Sequence, residues 1–502
     1  MEKFNKLKDT VVMRKIMWFF ESKWFVLAFV ALVYLSSVFG LEMLCFYTTA
    51  IVFVFISIFC EDTKPVIVMV LTTAFAPSVQ NFTINGSTAS NDNFLISQPE
   101  VIVQLSILIG LLLASMIAHI FIYKKAKAMV TTRTQLFAGI LFMCIALLLS
   151  GADVYSGFSN FEAVGISIEY NIKNLVFALI EIFALFLFYY YFYFTATWDK
   201  DSLRFLSFVV TVAGLLVATQ LFTRAIIQAV NGNLFIKGTN YSINRGALSL
   251  GWGIANNIGG LIVITIPSAM YLATTEKSKS WLYYIFACII MLANALTMCR
   301  TSLVVSLLIF PTCVIIACIK GANRKANLIT TGAVFGVILL GVLCFMPQIK
   351  ELFGRIVNDG LIVGEDGALA DSGRIKIWTT ALDNLRRAPF FGAGFFTDVY
   401  GSLEAGGVFN NMYHNVVMQM IGSCGIVGLL AYFTHCVQIF KVAFNKINLN
   451  RLFILLGIVS IIGVSLADNN IFYLSVGLYY SVFLMALEKD SDLTLKLSKI
   501  NI

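Results

Sequence analysis

Long apolar runs recur along the whole chain, and short polar segments separate them. Most runs are about 17 to 25 residues long, which is the length that an α-helix needs to cross a bilayer. The alternating apolar and polar positions of a β-barrel strand do not recur in this pattern. The pattern predicts an all-α polytopic integral membrane protein with 12–14 transmembrane helices, because the third candidate is short and only Arg-Thr-Ser separates the ninth from the tenth. The candidate spans are residues 24–40, 43–60, 65–77, 101–123, 135–150, 174–197, 205–223, 247–273, 281–299, 302–319, 328–346, 413–440, 452–466 and 471–487.

The composition supports a membrane protein and argues against the soluble classes. Hydrophobic residues make up 59% of the chain and charged residues 12%, with a mean hydropathy of +0.86. The net charge of +8 would suit a nucleic-acid partner. However, the lysines and arginines fall in short clusters between spans, which is a signal of membrane topology. We therefore expect a lipid bilayer, and no nucleic acid, as partner.

The distribution of lysine and arginine predicts the orientation. With the amino terminus in the cytoplasm, 24 of the 35 lysines and arginines lie on the cytoplasmic side. The basic opening segment has no small-residue cleavage site, so we interpret it as a cytoplasmic tail. Both termini are predicted to be cytoplasmic. The chain then divides into an N-terminal transmembrane region of about 11 spans (1–346), a large extracytoplasmic loop (347–412) and C-terminal transmembrane helices with a cytoplasmic tail (413–502).

The large loop holds six of the eleven remaining cations and is far longer than an ordinary connection. Its segment DSGRIKIWTTALDNLRRAP (371–389) has the spacing of an amphipathic helix, with Asp371 or Ser372 as a cap and Pro389 as its end. We predict that this helix lies on the outer membrane surface, with Trp378 at the interface. Its apolar face contains Ile377, Trp378, Ala381, Leu382 and Leu385, and its polar face contains Lys376, Thr380, Asp383, Asn384 and Arg387.

Three arginines are candidates for binding an anion on the outer side. Arg300 lies between two spans in a long uncharged stretch, where an arginine costs about 2.5–3.5 kcal/mol to insert. Arg374 begins the amphipathic helix, and Arg245 precedes the Gly/Asn-rich segment GALSLGWGIANNIGG. Each has a structural alternative: a snorkelling or ion-paired side chain for Arg300, a lipid-phosphate contact for Arg374, and packing of small residues for the segment after Arg245.

His414 is the candidate general base. It is one of three histidines, and it stands at the predicted start of the span 413–440. The positive end of the helix dipole and partial burial both disfavour imidazolium, so a neutral ring is available to accept a proton. The structural alternative is a hydrogen-bonded histidine at the membrane interface. We interpret His119 and His435, near the inner ends of spans, as structural.

Arginines, a helix N-terminus and a neutral histidine on one side of the membrane suit an anionic lipid headgroup such as a pyrophosphate. A metal site is less favoured, because Glu365, Asp366 and Asp371 cluster without histidine or aspartate at ligand spacing. The sequence contains no Gly-rich phosphate loop, Walker pattern or Ser/His/Asp motif.

Two motifs resemble those of the bacterial O-antigen ligase and polymerase family. GRIKIWTTALDNLRRAPFFGAGFF followed by YHNVVMQMIGSCGIVGLLAY is similar to the Arg-x-x-x-Trp, Gly-x-Gly and His-Asn signature of the family. GWGIANNIGG and MCRTSLV resemble its Gly/Asn motif and its arginine-bearing helix junction. The chain departs from the family in having Ala255-Asn256-Asn257 where Asn-Pro-Asn is common.

The resemblance implies a GT-C-like glycosyltransferase that needs no metal or cofactor and uses undecaprenyl-pyrophosphate-linked glycan at the outer face of the bacterial cytoplasmic membrane. By the same resemblance, Arg300 and Arg374 hold the pyrophosphate, Arg245, Asn415 and Trp378 contribute to substrate binding, and His414 deprotonates or positions the acceptor hydroxyl. A flippase and a chain-length regulator are the implied protein partners.

Three functions remain open at this point. The length, the span count and a second basic outer loop (224–245) favour a polymerase of capsule or O-antigen repeat units. The alternative is a ligase that transfers finished glycan to another acceptor. A lipid-linked oligosaccharide flippase is less favoured, because transporters place charges near the bilayer midplane in two related halves.

Overall fold

The computed structural model describes residues 10–79, 99–153, 175–176, 178–235, 243–344, 374–395 and 413–500. Within these ranges the chain forms helices and turns, and its β-structure is limited to two isolated bridges. The α-helices are α1 Val11–Glu21, α2 Lys23–Phe39, α3 Glu42–Phe59, α4 Lys64–Thr72, α5 Pro99–Ile122, α6 Ala126–Thr131, α7 Phe137–Leu148, α8 Phe188–Thr195, α9 Ser202–Val230, α10 Ala255–Thr275, α11 Ser280–Leu296, α12 Arg300–Lys320, α13 Arg324–Cys344, α14 Arg374–Arg387, α15 Val416–Phe444, α16 Leu449–Ser465 and α17 Leu474–Ile500.

The protein is an all-α polytopic membrane protein. In the described part of the chain, seven helical segments are long and apolar enough to cross a bilayer, and α1 and α2 form an eighth if a pair bent by 68° counts as one span. One of the seven is Ala178–Thr195, which runs through a π-helical turn, Phe183–Leu187, into α8. Four further apolar helices are shorter. A helix lies at each of the fourteen predicted positions.

Helix α10 is the centre of the bundle. It packs against α9, α11, α12 and α16, and almost all of its residues are buried. The small residue Gly214 of α9 allows this packing, because a Cβ there would collide with Thr265 of α10. The N-terminus of α10 is therefore held at a fixed place among its neighbours.

Two helices on which the site depends begin later than the hydrophobicity predicts. The span predicted at 247–273 begins at Ala255, because residues 245–248 form a 3₁₀ turn and Leu250 pairs with Gly253 in an isolated bridge. A Cβ at Gly251 would collide with the carbonyl oxygen of Ser78, so this turn packs closely on the preceding backbone. The span predicted at 413–440 begins at Val416. Hydrophobicity alone does not predict the turns before α10, because the residues that form them are themselves largely apolar or small.

Helix α15 is broken at Gly425, and part of the large loop fills the break. Gly425 has φ 62° and ψ −153°, a conformation that is essentially restricted to glycine. The turn after α14 supplies the missing backbone partners: Pro389 O accepts from Ile426 N at 2.9 Å, and Ala393 N donates to Gly422 O at 2.9 Å. The carboxylate of Asp153, in the turn after α7, accepts hydrogen bonds from the next two amides of the turn, Phe390 N and Phe391 N.

The amphipathic segment forms a helix, but it also packs against protein. Helix α14 lies against α15, and the predicted caps Asp371 and Ser372 fall outside the described residues. The predicted polar face is wrong at Asn384, which is buried together with Ala381. The polar side chain of Asn384 can be buried here because its amide donates to the phenol of Tyr413 at 2.6 Å.

Candidate active site

His414 lies in a tight turn immediately before α15, not in its first turn. Its φ of 49° is left-handed, which is uncommon for a residue with a side chain. The next residue, Asn415, is the N-cap: its Oδ1 accepts from Val417 N and Met418 N, and its Nδ2 donates to Leu466 O at 2.6 Å. Asn415 therefore ties the start of α15 to the end of α16. Its predicted contact with substrate stays a prediction.

The imidazole of His414 is hydrogen-bonded to a carboxylate that the sequence analysis did not select. Its Nδ1 lies 3.0 Å from Oδ1 of Asp468, in the turn between α16 and α17. The side chain of Asp468 is 3% exposed and that of His414 36% exposed. A carboxylate that accepts from Nδ1–H leaves Nε2 as the unprotonated nitrogen of the neutral ring. Nε2 has no hydrogen-bond partner among the described residues.

Asp468 is held in its ionised form. Burial raises the pKa of this carboxyl, but other contacts outweigh burial, so the pKa lies below its ordinary value. These are the hydrogen bond from His414, the charge of that ring when it is protonated, the backbone amide of Asn469 and the nearby amide of Asn256. The phenol of Tyr473 adds a weak contact at 3.4 Å. The sequence predicts that the positive end of a helix dipole acts on the His414 ring. In the structure the negative carboxylate of Asp468 also faces this ring.

Arg245 reaches the same cluster through Asn256. One guanidinium nitrogen of Arg245 donates to Oδ1 of Asn256, and the Asn256 amide lies close enough to Asp468 to lower its pKa. Arg245 is otherwise exposed. The Gly/Asn-rich segment thereby connects one predicted anion-binding residue to the carboxylate that holds His414.

Trp378 supports the residue before His414. Its Nε1 donates to the carbonyl oxygen of Tyr413 at 2.9 Å. Tyr413 is 1% exposed, and its backbone N–H donates to Oε1 of Gln419 at 3.1 Å. The sequence predicts Trp378 at the lipid interface, and the family resemblance implies a part in substrate binding. The hydrogen bond gives it a positioning contact, and its substrate role stays a prediction.

Arg300 and Arg374 are each the first residue of a helix, and neither contacts the His414–Asp468 pair. Arg300 is exposed at the start of α12 and forms no ion pair with a described carboxylate. Its neighbour Cys299 packs on α10, because a Cβ at Gly259 would lie 2.8 Å from Cys299 Cβ. Arg300 therefore lies at the same end of the bundle as Asn256. Arg374 begins the helix that carries Trp378.

The structure also tests the other candidates. His119 and His435 are buried and hydrogen-bonded, to Ser57 O and to the Tyr480 hydroxyl respectively, which confirms the structural interpretation. The acids Glu365, Asp366 and Asp371 lie outside the described residues. Asp468 was missed, although the polar run Asp468-Asn469-Asn470 between two apolar spans was a visible signal.

Comparison with known proteins gives two matches, each to part of the chain. Residues 268–433 match the family model described as O-antigen ligase. The O-antigen ligase of Escherichia coli (strain K12) is 23% identical over 235 residues, which cover 44% of this chain and 54% of that relative. The match thus spans about half the length of the relative. These matches confirm the predicted resemblance to the O-antigen ligase family over the matched segment, which includes Arg300, Arg374 and His414.

Proposed function

We propose that the chain is a membrane glycosyltransferase that moves a lipid-linked glycan to an acceptor hydroxyl, in the manner of an O-antigen ligase, at the outer face of the cytoplasmic membrane. The observation that carries this proposal is the His414–Asp468 pair, with Nδ1 bound to a buried carboxylate and Nε2 without a described partner. The family match supports transfer of glycan as the reaction class.

In the proposed reaction, the acceptor hydroxyl gives its proton to Nε2 of His414 as its oxygen attacks the anomeric carbon of the glycan. A new C–O bond forms, and the bond from that carbon to the pyrophosphate oxygen breaks, with the electron pair leaving on undecaprenyl pyrophosphate. Attack opposite the leaving group inverts the configuration. Asp468 keeps Nδ1 protonated and stabilises the imidazolium that forms, which is the orienting role of the acid in a catalytic triad.

The leaving group needs its charge held, and the three arginines are suited to this. A guanidinium binds two phosphate oxygens at once and remains charged. Arg245 donates to Asn256, in the first turn of α10. Arg300 begins α12, where the helix N-terminus adds backbone donors. Arg374 begins α14, one helical turn before Trp378, which donates to Tyr413 O.

The comparisons favour ligase-type transfer over polymerisation, because both matched descriptions name an O-antigen ligase. The structure also weakens one argument for a polymerase. Arg224, counted in the second basic outer loop, is buried in α9 and donates to Ala247 O and Val79 O at 2.9 Å. It therefore holds backbone segments together. Polymerisation remains an alternative without support from the comparisons.

A purified-protein assay tests the function. Detergent-solubilised enzyme receives undecaprenyl-pyrophosphate-linked glycan together with either a hydroxyl-bearing glycolipid of different structure or a second lipid-linked repeat. Transfer to the different glycolipid supports a ligase, and extension of the repeat supports the polymerase. A flippase would give neither product, because detergent leaves no membrane to cross. Absence of both products would contradict the proposal.

A further inference from the structure

Asn256 occupies a connecting position in the cluster. Its Oδ1 accepts a hydrogen bond from Arg245. Gly260, one helical turn later, packs against Asn470, so this part of α10 approaches the turn that carries Asp468, the partner of His414. The nearness of Asn256 also lowers the pKa of the Asp468 carboxyl. Arg245, Asn256, Asp468 and His414 belong to four separate segments: the turn after α9, the start of α10, the turn after α16 and the turn before α15. Asn256 is the residue through which the first segment reaches the other two.

The first turn of α10 is fixed tightly enough to hold such a residue in place. A Cβ at Gly260 would lie 2.5 Å from Oδ1 of Asn470, two residues after Asp468. On the adjacent face, a Cβ at Gly259 would lie 2.5 Å from the Ser302 hydroxyl of α12. The two glycines therefore allow α10 to approach the 468–470 turn on one side and the helix of Arg300 on the other. Asn256 has little freedom to move relative to either.

We propose that Asn256 is a positioning residue that holds Arg245 and the Asp468–His414 pair in one arrangement, so that an anion bound by Arg245 lies beside the histidine that takes the acceptor proton. The inference rests on the proposed glycosyl transfer. An arginine carries five N–H donors, and Asn256 accepts from one of its nitrogens, which leaves further donors for a pyrophosphate. The amide of Asn256 is neutral, so it accepts from the guanidinium without placing a second negative charge near Asp468.

Two variants separate this role from simple packing. Asn256→Asp keeps an oxygen for Arg245 but places a second carboxylate beside Asp468. We expect KM for the lipid-linked donor to stay within about twofold of the parent, while kcat falls about 10- to 100-fold. The acid limb of the kcat profile moves to higher pH, because like charges raise a carboxyl pKa. The titrating groups that face Asp468 are His414 and Tyr473. Asn256→Ala loses both contacts and should raise KM as well as lower kcat.

Asn257→Ala is the matched control, since Asn257 is the neighbouring amide in the same helical turn and contacts neither Arg245 nor Asp468 through a described hydrogen bond. Its kinetic constants should remain near those of the parent. If Asn256→Asp and Asn256→Ala lower kcat equally and leave KM and the pH profile unchanged, Asn256 is a packing residue and the proposal is wrong. Parental constants in both variants would also overturn it.

A second measurement does not depend on catalysis, so it tests the role of Asn256 even if the proposed glycosyl transfer is wrong. Thermal unfolding of Asn256→Asp is compared with that of Asn233→Asp, a charge-matched change at an exposed residue after α9. We expect Asn256→Asp to lower Tm most at neutral pH, and the deficit to shrink as the pH falls towards 5, because one of the paired carboxyls then takes up a proton. Asn233→Asp should show no such pH dependence. An equal, pH-independent shift in the two variants would overturn the positioning role whatever the assay for transfer shows.

Discussion

The imidazole of His414 and the carboxylate of Asp468 lie 3.0 Å apart, although 54 residues separate them in the chain. The pair joins the turn before α15 to the turn between α16 and α17. One nitrogen of the histidine is thereby fixed, and the other remains for a substrate. The hydrogen bond to Asp468 explains why a histidine stands immediately before the apolar helix α15 better than the helix dipole does.

Asp468→Asn should impair catalysis strongly while leaving the size of the side chain unchanged. The amide cannot stabilise the imidazolium and can bind the wrong tautomer of His414, so we expect kcat to fall about 10²- to 10⁴-fold. Steady-state kinetics with the purified protein measures this. Asp383→Asn, at an exposed position of α14, is the control and should keep parental activity. Parental kcat in Asp468→Asn would remove the pair from the mechanism.

The stability that ionised Asp468 contributes should depend on pH in one direction. Its folded-state pKa is below the ordinary value of 3.8, so the contribution is fully present above that value and is lost as the pH falls through the folded-state pKa. Chemical unfolding should therefore show a deficit for Asp468→Asn at pH 5 that diminishes below about pH 4, as Asp468 of the parent takes up a proton. A deficit that remains undiminished at the acid end of the series would contradict the ionised assignment.

Trp378→Phe distinguishes a positioning contact from a substrate contact. The change keeps an aromatic ring but removes the hydrogen bond to Tyr413 O. We expect kcat to fall by about tenfold with little change in KM, because the backbone before His414 is less well held. Trp281→Phe, at an exposed residue of α11, is the control. A raised KM at unchanged kcat would instead favour the predicted role in substrate binding.

Arg300→Lys and Arg374→Lys test the predicted pyrophosphate contacts. Lysine keeps the charge but loses the planar fork, so each change should lower kcat/KM by about tenfold or more. Arg386→Lys, on the exposed side of α14, should have no effect. If a lysine variant retains the parental kcat/KM, the arginine that it replaces does not bind the pyrophosphate in a bidentate manner and is not part of the proposed site.

Gly425→Ala tests the broken helix that receives the loop. Alanine disfavours φ 62°, and its Cβ would lie 2.5 Å from the carbonyl oxygen of Phe390. We expect a loss of about 1–3 kcal/mol in unfolding free energy and a lower Tm. Gly332→Ala, in a helix where a Cβ would meet nothing within 4 Å, should change stability little. Equal Tm values for the two variants would show that the break is not required.

The sequence predicted what depends on local pattern. The apolar runs located the helices, and the motif around His414 selected the histidine and the helix of Trp378. It did not predict which side chains meet, because such contacts join turns that lie far apart in the chain. Asp468 and Asn384 acquire their roles only from packing, and the hydrophobic pattern predicts Asn384 on the polar face of the amphipathic helix, whereas it is buried against Tyr413.

In the proposed reaction, His414 takes the acceptor proton during transfer. A single-turnover reaction of purified protein in detergent with lipid-linked glycan and acceptor tests this role, comparing the parent with His414→Gln and with the control His435→Gln, a change at a buried histidine outside the site. We expect His414→Gln to bind the lipid-linked donor as well as the parent does but to lose transfer by about 10²-fold or more. Transfer at the parental rate by His414→Gln would contradict this role.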